Sequence, residues 1–169
     1  MIIFMRLSKF TLFFAIYLVI SASFMQQVWS AWKNIFGIGK LKIFFISLCL
    51  WIIVMLIYKG IKKKFNPKKV FLIITLCVAG FIFAWRQPYM PEKAHVLEYG
   101  VLAWLTMRDL YIGKTGRLKK ILYSFIFVSA IGCLDEGFQK IIPWRYFETR
   151  DILTNIISGI LGIALFLVK

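Results

Sequence analysis

The chain has one histidine, His95, and seven acidic residues against twenty-two lysines and arginines. One histidine with scattered acids leaves no recognised zinc spacing and cannot supply the pair of histidine-containing motifs expected of a lipid phosphatase. Its three cysteines, Cys49, Cys77 and Cys133, each sit inside an apolar run with no CxxC spacing. They read as small core residues, and neither a disulfide nor a metal is assigned to them. The four prolines, Pro67, Pro88, Pro91 and Pro143, all fall between apolar runs, where helix breakers belong. Apolar surface is what the chain has in abundance: 61% of its residues are hydrophobic, 18% are aromatic, and the mean hydropathy is +0.80. In 169 residues, with long uninterrupted apolar runs, that composition indicates an integral membrane protein.

About six spans can be drawn: Phe10 to Met25, Leu41 to Tyr58, Val70 to Trp85, Ala94 to Tyr111, Ile121 to Phe138 and Ile152 to Val168. Their lengths lie near or just under the roughly 17 to 25 residues a crossing helix needs. Gly80, Gly100, Gly132, Gly159 and Gly162 lie inside spans, where glycine lets neighbouring helices come close. Two strongly basic connections, 59–69 and 113–120, are two spans apart and therefore on one side. Basic residues near span ends are retained in the cytoplasm. Both connections and both termini are then inside, with fourteen basic residues and one acid, Asp109, against eight basic residues and six acids outside. The expected fold is all-α, a polytopic transmembrane helix bundle that is N-in and C-in.

Basic loops beside span ends orient the chain and meet anionic lipid headgroups, and no module with a basic face for nucleic acid is visible. Membrane lipid is the expected partner, with no nucleic acid. The first span ends near Ser21-Ala22-Ser23, which resembles the small-residue end of a signal peptide. It is read as a retained anchor. Residues Trp29 to Lys40 carry Trp29, Trp32, Ile35, Phe36 and Ile38 beside Lys33 and Lys40. They suit a short interfacial helix or an ordinary aromatic belt.

The six outer acids and the histidine fall in two short stretches. The first is Glu92-Lys93-x-His95-x-x-Glu98-Tyr99-Gly100-x-Leu102. The second is Asp135-Glu136-x-x-Gln139-x-x-x-Pro143-x-Arg145-x-x-Glu148-x-Arg150-Asp151-x-x-x-Asn155-x-x-x-Gly159-x-x-Gly162. In the order and spacing of these polar positions, residues 70 to 168 resemble the VanZ-like membrane proteins. Trp144 departs from the small or polar residue common there in that family. The resemblance divides the chain into a two-span segment (1–58) without family motif, a basic cytoplasmic loop (59–69) and a four-span VanZ-like core (70–168). It implies the bacterial cytoplasmic membrane and a cell-envelope role, possible resistance to the glycopeptide antibiotic teicoplanin included, but it brings no established reaction.

Physically, His95, Glu98 and Tyr99 share neighbouring parts of one helical face, Asp135 and Gln139 are four apart, and Asp151, Asn155, Gly159 and Gly162 line one stripe. All three groups stand at one membrane level, so a shallow outward-facing pocket is expected. Lys93, His95, Tyr99, Gln139, Arg145, Arg150, Asp151 and Asn155 are its candidate ligand-binding residues. Arginine suits a phosphate or carboxylate, though the cations equally suit neutralising the acids around them. His95, Glu98, Asp135, Glu136 and Asp151 are candidates for general acid–base work. Gln139 and Asn155 also suit gluing helices together. No serine or cysteine lies between Glu92 and Leu102 or between Asp135 and Asn155, so covalent acyl or phosphoryl chemistry has no evident carrier there. No metal or cofactor is assigned. Two readings remain: a protein that binds or handles an anionic amphiphile, either a lipid-linked precursor or a glycopeptide, and a membrane-embedded hydrolase or transferase acting on an envelope lipid. The charge asymmetry makes a direct prediction. In a cysteine-free variant, single cysteines placed at Pro91 or Trp144 should react with an impermeant thiol reagent on intact cells, and those at Asn66 or Gly116 should not. The reverse pattern would invert the orientation.

Overall fold

The computed structural model describes residues 7–21, 23–62, 64–111, 116–143 and 148–168. They form six helices: α1 (Lys9–Ser21), α2 (Met25–Lys62), α3 (Pro67–Arg86), α4 (Met90–Tyr111), α5 (Arg117–Gln139) and α6 (Thr149–Val168). The expected all-α bundle is present, and four of its helices, α2, α3, α5 and α6, are long and apolar enough to cross a membrane. The other two differ for separate reasons. Helix α1, at thirteen residues, advances only roughly 20 Å at ~1.5 Å per residue, less than a hydrocarbon core of about 30 Å. Helix α4 has the length, but carries Glu92, Lys93, His95, Glu98, Arg108 and Asp109.

That polar helix is the centre of the bundle. Tyr99, Leu102, Ala103 and Met107 of α4 are fully buried, in one core with Leu7, Ala15 and Leu18 from the first helical segment, Phe127 and Val128 of α5, and Ile163 of α6. The first two helices are thus not a separate unit, since α2 also packs Phe45 and Cys49 against Ala84 of α3 and Val96 of α4. The surrounding helices turn large apolar side chains outward, among them Phe13, Ile43, Trp51, Phe71 and Leu118. A polar helix wrapped by apolar ones is the arrangement that hydrocarbon surroundings demand, because ionisable groups are expensive against lipid.

Helices alternate in direction. The end of α4 meets the start of α1, where the Ser8 backbone N–H and the Thr11 hydroxyl donate to Asp109 Oδ2 at 2.8 and 2.6 Å. Arg108 braces the other oxygen, with Nη2 at 2.8 Å from Oδ1, and reaches Ser8 Oγ at 3.2 Å. Asp109 therefore caps α1 from a distance, stabilising N–H groups that have no partner within the helix. At the opposite end the starts of α4 and α6 and the end of α5 lie together.

Helix α2 is broken at Gly37, whose φ of 76° and ψ of 154° suit glycine alone. The segment before it stacks Trp29 on Trp32 and Trp32 on Phe36 edge to face, and Trp32 also meets Phe44 beyond the break, so the aromatic stretch expected to be interfacial is a helix set off by this bend. Between α2 and α3 the turn is short. Asn66 caps α3 by accepting from the Lys68 N–H at 2.9 Å, and Pro67 occupies its first turn, where a missing N–H costs nothing. Helix α1 ends earlier than its apolar run suggests, since the Ser21 and Ser23 hydroxyls donate to the carbonyls of Leu18 and Ile20, a competition that favours turns.

Glycine sets the closest approach in the bundle. A Cβ on Gly162 would lie 2.1 Å from the Gly100 carbonyl oxygen, and one on Gly159 would lie 2.9 Å from Val128 Cγ1. The α6 backbone thus seats directly on α4. Gly162→Ala should force the helices apart and lower stability by about 1 to 3 kcal/mol. Gly137→Ala in α5, where a Cβ meets nothing within 4 Å, should be neutral or stabilising by up to about 1 kcal/mol. Melting curves of the two variants in detergent check the contrast.

Candidate functional site

The polar residues at the joined ends of α4, α5 and α6 form two knots. The deeper one centres on Asp135, fully buried near the end of α5. Tyr99 Oη donates to Asp135 Oδ2 at 2.8 Å. His95 Nδ1 stands 4.0 Å from the same oxygen and 3.5 Å from Glu98 Oε2, and its ring is 5.9 Å from that of Tyr99. The helical spacing that put His95, Glu98 and Tyr99 on one face of α4 thus aims all three at α5. Asn155 of α6 closes this knot, with its Cβ 3.1 Å and Nδ2 3.5 Å from the place a side chain on Gly132 would occupy. Asn155 is fully buried, and neither of its amide atoms has a hydrogen-bond partner among the described residues.

The second knot lies at the mouth. Arg150 Nη2 is 2.8 Å from Glu92 Oε1 and 2.9 Å from Glu148 Oε2, and Arg150 Nε is 3.8 Å from Asp151 Oδ1. Glu136 links the two levels. It accepts from Gln139 Nε2 at 3.0 Å and from the Glu148 backbone N–H at 3.5 Å. Glu92, Glu148 and Asp151 offer oxygens within 4.8 Å of one another, a hard donor set of the kind a divalent cation takes. Here the Arg150 guanidinium bridges two of them and supplies the countercharge.

Three sequence readings change in detail. Lys93 does not face the carboxylates. Its Nζ donates to the carbonyls of Trp85 (2.7 Å), Ala84 (3.4 Å) and Gln87 and lies 5.3 Å from the Trp85 ring centroid. It caps the end of α3, as a cation at a helix C-terminus should. Glu92, absent from the candidate ligands, is the buried partner of Arg150; the signal was its place in the first turn of α4, at the level of the other acids. The expected shallow pocket is mostly filled, since Asp135, Glu136, Gln139, Asn155 and Tyr99 are all buried. Arg145 lies outside the described residues.

No protein-family model, curated protein or solved structure matches the chain. Chemically, its own geometry offers a proton-active group, His95, between two carboxylates, and a half-exposed arginine held in a ring of acids.

Glu92 lies ahead of the apolar stretch of α4. Burial pushes its carboxyl up from the ordinary value, the nearby Asp151 charge adds to this, and Arg150 opposes it. A raised carboxyl pKa contributes stability that is complete below the unfolded value, near ~4.3 for glutamate, and lost as pH rises through the folded value. Removing Arg150 takes away the opposing charge and should steepen that loss. Between about pH 5 and about pH 8 the melting temperature of Arg150→Met should therefore fall more than that of wild type, and adding Glu92→Gln should flatten the curve. Parallel curves for all three proteins would mean that Arg150 does not stabilise the Glu92 charge.

Proposed function

We propose that this is a VanZ-like, multi-pass protein of the bacterial cytoplasmic membrane, with about six spans, the short α1 counted as the first, and both termini inside. On this reading it binds or handles an amphiphile of the cell envelope at the outward-facing ends of α4, α5 and α6. The ligand is anionic in part, a lipid-linked precursor or a glycopeptide antibiotic of the teicoplanin type. The observation that carries this reading is the convergence of Glu92, His95, Glu98, Asp135, Glu148, Arg150 and Asp151 from three helices at one end of an otherwise apolar bundle. Such clusters mark ligand or ion sites by default in membranes. Arg150 is about half exposed, so its planar fork keeps an edge for a phosphate or carboxylate, and Arg145 is the second arginine of the same stretch.

A second reading, a hydrolase or transferase acting on an envelope lipid, is favoured by the position of His95 between Glu98 and Asp135, since an oriented imidazole is a general base. With no serine or cysteine from Glu92 to Leu102 or from Asp135 to Asn155, such an enzyme would activate water. Mass analysis of envelope lipids from cells with and without the protein separates the readings, because only turnover creates a new covalent species.

For binding, the prediction concerns charge geometry. Arg145→Lys and Asp151→Asn should abolish the envelope phenotype, a loss of tenfold or more, while protein abundance in the membrane stays near wild type. Parallel loss of abundance and phenotype would reduce the cluster to a structural ion network, where an uncompensated buried charge costs about 3 to 5 kcal/mol.

A further inference from the structure

Among the described residues a cavity lies between α2, α3, α4 and α6. It holds about 430 Å³, within the ~300 to 1,000 Å³ of small-molecule sites. Its walls are apolar from Ala84 and Val96 at one end to Ile73 and Lys59 at the other. Over that length α3 advances roughly 16 Å, so the space is an elongated slot. Gly80 and Gly100 keep it open: a Cβ on Gly80 would approach only Leu161, at 3.8 Å. Cys49 and Cys77, read as plain core residues, form part of the wall.

The charge at the slot is all of one sign. Among the described residues Lys59 is the only charged one that lines it. It sits in the last turn of α2 with Lys62, close in sequence to Lys64 and to Lys68 and Lys69 in the first turn of α3, and no acidic residue precedes Glu92 in the chain. In a bilayer an apolar slot does not by itself choose among lipids, because one tail is as apolar as another. The lysines make the choice, since basic residues at the membrane surface favour anionic headgroups.

We infer that the slot holds one acyl chain of an anionic phospholipid, with the lipid phosphate against Lys59 and the α2–α3 connection. The phosphate end of this site is at the opposite end of the bundle from the carboxylate cluster, the slot reaching Val96 and Leu97 at its other end, and the inference does not depend on the function proposed for that cluster.

The test is native mass spectrometry of the full-length protein, delipidated in mild detergent and offered phosphatidylglycerol or phosphatidylethanolamine with matched chains. Phosphatidylglycerol should be retained at least about fivefold better, the order expected for one lysine at a headgroup. Lys59→Glu should remove the preference. Lys119→Glu, an equal charge change at the same end of the bundle but away from the slot, should keep it. A phosphatidylglycerol carrying a diazirine in its acyl chain should mark Ile53, Leu76, Cys77 or Val101 in wild type, which tests the slot without any variant. Equal retention of the two lipids, equal effects of the two lysine changes, or adducts spread over outward residues such as Phe13, Trp51 and Leu122 would each overturn the inference.

Discussion

A carboxylate that cannot reach water must be answered from within the protein, and α4 places four ionisable side chains, Glu92, Lys93, His95 and Glu98, within two turns of helix in an otherwise apolar bundle. The remaining architecture follows from that constraint. Tyr99 answers Asp135, Arg150 answers Glu92, and the carbonyls of α3 answer Lys93. None of these partners is on α4 except Tyr99, so the helix is satisfied only when α3, α5 and α6 are docked. Partners this deep need close backbones, which the missing side chains of Gly100, Gly132, Gly159 and Gly162 permit.

The two ends of α4 solve the same problem differently. At one end Asp109 is fully engaged by Ser8, Thr11 and Arg108, so its charge is spent on fixing a short helix that could not otherwise hold its place. At the other, carboxylates outnumber the described cations, Lys93 is turned away, and Asn155 remains without a partner among the described residues. The first end is a structural joint. The second retains polar capacity beyond what folding uses, which is why function is assigned there.

Much of this was legible in the sequence. Apolar runs located the helices, because hydrocarbon contact requires continuity, and the three- and four-residue spacings joined His95, Glu98 and Tyr99 on one face at the membrane level of Asp135. Glycine positions marked the tight crossing of α4 and α6. What could not be read were contacts set by long side chains and by distant segments. Spacing fixes where the Cβ of Lys93 points but not where a four-carbon stem delivers its ammonium. The Asp109 clamp joins residues about a hundred positions apart, and the break at Gly37 is one glycine among eleven, with no local mark to single it out. Glu92 was seen as an acid of the motif and not as the mate of Arg150, since two helices starting at the same level can pair in several ways.

The central claim is that the Tyr99–Asp135 hydrogen bond couples α4 to α5 inside the bundle. A double-mutant cycle of Tyr99→Phe and Asp135→Asn, read as unfolding free energy in bilayer-like bicelles, tests it most directly. Hydrogen bonds to charged groups contribute about 1.5 to 3 kcal/mol in water-soluble proteins and average nearer ~0.6 kcal/mol between membrane helices. Full burial of both partners predicts a coupling above about 1 kcal/mol. Effects that add to within about 0.3 kcal/mol would contradict the account, because the Tyr99–Asp135 bond would then contribute nothing to the docking of α4 on α5.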